Sequence, residues 1–282
     1  MKLLVGGEWK RSDSQEWHDF FDPAVGAALG RVPFSSKEEV NLAIESAQGA
    51  FESWRSLPIG DRVKYLFRLK EVMEANSEEL AELNTRNHGK TLEESRGDIR
   101  RALENVDVAI SVAYTLSKGA NLDQIARGID EKMAKEPLGV FAIICPFNFP
   151  LMIPFWFLPY AVVLGNTVVV KPSEITPLPM QRVASLIKEE VGLPPGVFNL
   201  VHGGSKVVET LIANSATKGV TNGLLPLWRN EGLLLRSSAP SSRHSRLLHR
   251  QEGNDITLVE PSTNCQLLVG PPKIVRFMKQ SP

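Results

Sequence analysis

The 282-residue chain has only two cysteines, Cys145 and Cys265. A single pair cannot build a disulfide framework, and the spacing suits no metal site. Net charge is missing too: the formal total at pH 7 is +0. Such a balance excludes nucleic acid or an anionic membrane as the main partner. A secretory leader is not legible either, because the apolar run of MKLLVGGEWKRSD stops at Gly6-Gly7 and charged residues follow. The expectation is a cytoplasmic globular protein of one large or two ordinary domains, its 43% hydrophobic content being enough for a substantial core.

Charge is also absent locally. No charged side chain lies between Glu136 and Lys171, in a chain where 23% of residues are charged. An uncharged run of that length could span a bilayer as a helix. Pro146, Pro150, Pro154 and Pro159 argue against this, since each removes a backbone donor that a lipid-exposed helix cannot spare. A buried strand from Gly139 to Ile144, a helix from Met152 to Leu164 and a second strand from Thr167 to Val170 fit the residues better. Polar residues then gather where the strands end: Asn148 after the first, Lys171, Ser173 and Glu174 after the second. Open α/β sheets bind their ligands there.

Ahead of this unit, Leu3 to Trp9 reads as a hairpin and Asp22 to Pro33 as a second turn-rich strand pair. Ser35 and Ser36, each three residues before a glutamate, announce a helix that runs to Pro58. A second helix follows, then a third capped by Ser77 and closed by Gly89, and a longer one from Thr91 to about Lys118. His88, Lys90 and Glu93 read as a solvated helix start. After the uncharged run come a helix from Met180 to Glu190, a strand from Val197 to Val201, the loop His202-Gly203-Gly204, a helix from Val207 to Ala213 and a strand beginning at Lys218. His202, His244 and His249 have no partner by spacing, so a core or solvated role is expected of each.

The PFNFP of residues 146–150, the GNT of 165–167 and the KPSE of 171–174 together resemble the cofactor half of the NAD(P)-dependent aldehyde dehydrogenase superfamily. HGKTLEESRGDI at 88–99 is similar to a helical region of the same family. The resemblance implies an α/β fold with an incomplete Rossmann-like parallel sheet, an N-terminal helical segment and an irregular C-terminal tail. Residues 1–117 would be N-terminal strands and helices of the cofactor domain, 118–136 a connecting ribbon, 137–221 the NAD-binding part and 222–282 a divergent, poorly ordered tail. The implied reaction oxidises an aldehyde to an acid or acyl-CoA with NAD, through attack by a cysteine thiolate. Asn148 matches the family's oxyanion donor, a task suited to an amide because its N–H groups carry no titrating charge. Cys145, Phe147, Lys171, Ser173, Glu174 and Gly204 match cofactor-binding positions. A carboxylate on the ribose hydroxyls would repel a 2′-phosphate, so Glu174 favours NAD over NADP. PFNFP, MIPFWFLP and KPSE lean towards the methylmalonate-semialdehyde dehydrogenase branch, whose acyl acceptor is coenzyme A. Family members act on small aldehydes as homo-oligomers.

The resemblance stops at Thr221. Residues 222–282 carry eight Lys and Arg against four Asp and Glu and show no steady period. A frameshift, an aberrant splice or a mispredicted gene produces such a break. The family's nucleophile motif and water-activating glutamate motif are both absent: Cys265 lacks the glycine turn, and Glu260 lies before a proline. The expectation is a chain without turnover. A non-catalytic dinucleotide-binding module and an unstable product with an open sheet edge are the other readings.

Overall fold

The structure, a computed structural model, describes residues 1–127, 129–222, 234–235 and 273–278. Gly128, Cys265, Glu260, His244 and His249 lie outside these residues, as does most of the segment expected to be irregular. Strands β1 (Leu3–Val5) and β2 (Glu8–Lys10) form the first hairpin. Its turn, Gly6-Gly7, has φ of 61° and 78°, which only glycine adopts cheaply. Strands β3 (Trp17–Asp22) and β4 (Ala27–Pro33) form a separate two-stranded sheet.

Four helices follow: α1 (Lys37–Ser56), α2 (Ile59–Ala75), α3 (Ser77–His88) and α4 (Leu92–Ser117). Ser36 with Glu39 and Thr91 with Glu94 close full capping boxes at the starts of α1 and α4. Ser77 is the first residue of α3 and not its cap. Asn76 stands in the cap position and makes no capping bond, because its Nδ2 donates to the Val72 carbonyl of the preceding helix. A two-stranded ribbon follows, its first strand β5 (Ala120–Ala126) exposed throughout and paired with β6 (Ile129–Ala134).

The main sheet is built by β7 (Val140–Ile144), β8 (Thr167–Lys171), β9 (Phe198–Leu200) and β10 (Thr217–Asn222), all parallel in the order β10-β7-β8-β9. The hairpin joins antiparallel at one edge, with Leu4 opposite Leu200. At the other edge the pair β11 (Leu234–Leu235) joins β10, and β12 (Lys273–Met278) joins the ribbon beside β6. The crossovers are α5 (Met152–Phe155) with α6 (Leu158–Val163), α7 (Leu178–Leu186), and α8 (Ser205–Ala213).

Side-chain alternation divides the sheet into two faces. Phe141, Ile143, Val168, Val170, Phe198 and Leu200 pack with α2 to α7, and Val140, Ala142, Ile144, Val169 and Val220 pack with α1 and α8. Both faces are therefore apolar, which is why β7 and β8 read as continuous hydrophobic runs. The chain steps from β7 to β8 to β9 in one direction and then back across to β10. A right-handed crossover must then change sides, and α8 does lie opposite α6 and α7. Strands β7 and β10 meet at the point where the order reverses.

Two expected helices differ in outcome. The segment Met152 to Leu164 is not one helix but two, with a break at Trp156-Phe157; Pro159 has no N–H to continue the first turn. The helix expected from Met180 starts at Leu178 and widens after Leu186 into a π turn, Ile187–Val191, closed by Gly192 at φ 70°. Among the described residues no helix is long and apolar enough to cross a membrane.

One buried cation of α2 ties the ends of two other helices together. Arg62, 6% exposed, donates through Nε to the Val163 carbonyl at 2.8 Å and through Nη1 to the carbonyls of Arg55 and Leu57. It thus satisfies the ends of α6 and α1 together, and the negative ends of two helices stand in for a carboxylate partner. Arg62→Met leaves these carbonyls without a donor and is expected to lower unfolding free energy by about 2–4 kcal/mol. Urea denaturation of the two proteins checks this.

Candidate functional site

The polar groups of the sheet converge on the carboxyl ends of β7 and β8. Strand β7 runs out through Cys145, whose N–H extends the ladder to the Lys171 carbonyl at 2.9 Å. Its side chain is buried and its thiol is pushed up to about 12 by desolvation, with Lys171 pulling the other way. The thiolate is the nucleophilic form, so Cys145 is a small core residue in chemical terms. Pro146 ends the strand. Phe147 and Phe149 then stand half-exposed at the mouth, and Asn148 lies between them. The side-chain Oδ1 of Asn148 is buried and has no hydrogen-bond partner.

Lys171, at the end of β8, is almost wholly buried. Its ammonium donates to the Pro172 carbonyl at 2.9 Å, the Gly203 carbonyl at 2.7 Å and Glu174 Oε2 at 3.3 Å. All three N–H donors are engaged, so Lys171 binds the end of β8 to the loop after β9 and orients Glu174. Desolvation lowers its pKa, opposed by the Glu174 carboxylate. Glu174 is one-third exposed, and its second oxygen is left for an incoming donor. Ser173 Oγ accepts from the Ile175 N–H at 3.3 Å, which shapes the turn that presents Glu174.

The loop from β9 to α8 supplies backbone. Gly203 has φ 142°, and a Cβ there would meet Val207 Cγ2 at 2.5 Å. Gly204 takes an ordinary φ of −93° and its missing Cβ faces the Phe34 ring at 3.4 Å, so of the two Gly203 is the position that admits only glycine. His202, 1% exposed, is a core residue. Its Nε2 lies 2.8 Å from Gln181 Oε1, and its backbone N–H donates to Ser35 Oγ.

The corner between α3 and α4 braces both site loops, and this was not legible as a site. Asn87 donates from Nδ2 to the Ile175 carbonyl at 3.2 Å and accepts the Leu178 N–H on Oδ1 at 3.0 Å, fixing the loop after β8. Thr176 Oγ1 reaches the Phe147 carbonyl at 3.4 Å. Lys90, expected to be solvated, has a side chain only 8% exposed: its Nζ donates to the Asn148 carbonyl at 3.1 Å and sits 3.5 Å from the fully buried Asp98 Oδ2. Asp98 accepts in turn from Asn84 Nδ2 and from the Met152 N–H, both at 3.0 Å. Burial raises the Asp98 pKa, while Lys90 and these donors act against the rise. His88 is also half-buried, its pKa lowered first by desolvation and then by Lys90, whereas Glu93 is the exposed residue expected. A signal for this cluster does exist in the sequence. Ser95, Ile99, Ala102 and Val106 form the buried stripe of α4, and Asp98 falls on it, where an ionisable side chain requires a partner.

One carboxylate, Glu174, and one amide, Asn148, held in this way can grip a polyol and stabilise a developing negative oxygen, but they bring no nucleophile. Among the described residues no group of three His, Cys, Asp or Glu is placed to hold a metal ion.

Comparison with known proteins gives one consistent set of matches. Residues 9–222 match the family model described as aldehyde dehydrogenase family. Over 221 residues the chain is 42% identical to malonate-semialdehyde dehydrogenase 2 of Bacillus mycoides, and 42% identical to malonate-semialdehyde dehydrogenase 1 of Geobacillus kaustophilus; each match covers 78% of this chain and 45% of the relative. Among solved structures, the methylmalonate-semialdehyde dehydrogenase of Oceanimonas doudoroffii superposes with a TM-score of 0.75 at 36% identity, covering 78% of this chain and 45% of that one. The betaine aldehyde dehydrogenase of Staphylococcus aureus, solved with NAD+, does so at 0.74 and 32%, with the same coverage. The chain thus spans a little under half the length of the relatives it matches.

The buried His202 makes stability depend on pH. Desolvation, then the amino terminus and Lys171, hold its pKa down to about 3 against an ordinary 6.5. The unfolded chain therefore takes up the proton first, and stability that is complete above about pH 6.5 is lost as pH falls towards 3. His202→Gln keeps an amide for Gln181 and removes the titration. Denaturation at a series of pH values is expected to show a stability slope between pH 4 and 6 that is shallower by up to about 1.4 kcal/mol per pH unit.

Proposed function

Because this chain belongs to the aldehyde dehydrogenase family, we propose that residues 137–221 are its dinucleotide-binding part, and that this chain binds NAD without oxidising an aldehyde by itself. The observation that carries the reading is the pairing, at the carboxyl ends of β7 and β8, of an amide whose buried Oδ1 has no protein partner, Asn148, and a partly exposed carboxylate held by Lys171 through one oxygen, Glu174.

The residues fit the cofactor in three respects. Glu174, held from one side by Lys171, offers its second oxygen to the ribose hydroxyls, and its charge disfavours a 2′-phosphate. Gly203 and Gly204 bring backbone rather than side chain to the dinucleotide, with Gly203 strained for any other residue. Cys145 and Phe147 line the same turn, Phe147 with an exposed ring and Cys145 through its backbone. When bound, NAD supplies the hydride acceptor of the family reaction. Asn148 then points its N–H donors at the aldehyde oxygen, where negative charge grows when the carbonyl is attacked.

The attack itself has no agent among residues 9–222. Their one cysteine, Cys145, is buried and its thiol is pushed up to about 12. The names of the relatives point to a malonate or methylmalonate semialdehyde as the substrate class of the complete enzyme.

Calorimetry on the purified chain is expected to show saturable NAD binding, weakened at least about tenfold (~1.4 kcal/mol) in Glu174→Gln. No NADH is expected with malonate semialdehyde. Equal NAD affinity in Glu174→Gln overturns the ribose assignment, and NADH formation that a thiol reagent stops overturns the assignment of a non-catalytic chain.

A further inference from the structure

We propose that Lys90, through its pair with Asp98, is the positioning residue that aims the Asn148 amide. The inference rests on the reading of Asn148 as the oxyanion donor. Asn148 is placed on an irregular turn between two exposed rings, and its side-chain Oδ1 has no hydrogen bond to hold it. The point from which the side chain leaves the chain is set by its backbone, and the structure shows what grips that backbone.

Lys90 Nζ donates to the Asn148 carbonyl, and Asp98 Oδ1 accepts the N–H of Met152 four residues later. The buried pair thus holds the turn on either side of the Phe149-Pro150-Leu151 segment. Fixing the carbonyl of a residue fixes its ψ, and with it the direction in which Cα–Cβ leaves the chain. The ammonium is itself held in place. The Phe149 ring lies 4.7 Å from it, Asp98 lies 3.5 Å away, and the stem is buried.

The backbone of Lys90 is equally constrained. Gly89 before it ends α3 in the left-handed region at φ 86°, where a Cβ would meet Pro23 Cγ at 2.5 Å. Thr91 after it is the N-cap of α4, locked by a reciprocal bond with Glu94. A side chain anchored between two helix ends is a rigid strut, and an aimed donor needs rigid support because angular error removes its effect. A charged donor also makes the stronger bond to a carbonyl, which accounts for a buried lysine where a neutral amide would be cheaper to desolvate.

The test reads the Asn148 amide directly. The full chain is labelled with 15N at asparagine side chains, and the Asn148 pair is identified by its loss in Asn148→Asp. In the unsubstituted chain the pair is expected to stand away from its position in urea. Lys90→Met is expected to return it towards that position, and Lys90→Arg to keep it. The Asn199 pair, bonded inside the sheet to the Val168 and Gly196 carbonyls, should stay fixed in both variants. Should Lys90→Met fail to melt cooperatively, Asp98→Asn makes the same comparison.

An Asn148 pair unmoved by loss of the charge, with Asn199 intact, overturns the proposal. So does movement of both pairs together, which would make Lys90 a residue of the general fold. Calorimetry with NAD on the same samples separates the two readings. Binding that persists in Lys90→Met with an unmoved Asn148 pair rejects the strut and keeps the dinucleotide site, and failure of the unsubstituted chain to bind NAD rejects the site whatever the amide does.

Discussion

Burial of the parallel strands on both faces is the constraint from which the rest follows. Val140 to Ile144 and Thr167 to Lys171 have no solvent-facing side, so neither strand can carry a working polar group along its length. Polar chemistry is confined to the strand ends, and the reversal of strand order between β7 and β10 opens the sheet at that end. The uncharged run thus shapes the candidate site as well as the core: it leaves Asn148 and Glu174 at the rim.

A rim made of turns needs external support, and the support comes from the helices that precede the sheet in sequence. Asn87, Lys90 and Asp98 hold the loops after β8 and β7, and Lys171 holds the loop after β9 from within the sheet. Each brace is a buried polar side chain that bonds the main chain of the loop it holds, whatever side-chain partners it also has. Such a bond constrains the path of the loop whatever residues it carries, and leaves the exposed side chains free for a ligand.

Much of this was legible beforehand because it depends on local rules. The capping boxes at Ser36 and Thr91 need only four residues each, and the strands only apolar runs with a break. Asn148 and Glu174 were legible as groups at strand ends, with the family resemblance supplying roles. The Lys90 brace was not, because its acceptor is 58 residues away and its counter-ion eight, a spacing outside the i,i+4 rule. The split of the helix at Phe157, where Pro159 withholds an N–H, and the π turn before Gly192 escaped because an uninterrupted apolar run does not mark where a turn stops or widens.

The hairpin β1–β2 adds to the sheet beside β9, Leu4 against Leu200, so the first residues of the chain pair with nearly the last of the described core. Nothing local rewards that pairing, and the intervening chain must already be ordered for the docking edge to exist. The outer strand of the hairpin presents Glu8 and Lys10 to solvent, so the edge shown to other molecules is a charged one that resists pairing. The start of the chain is in this sense the guard of its own sheet.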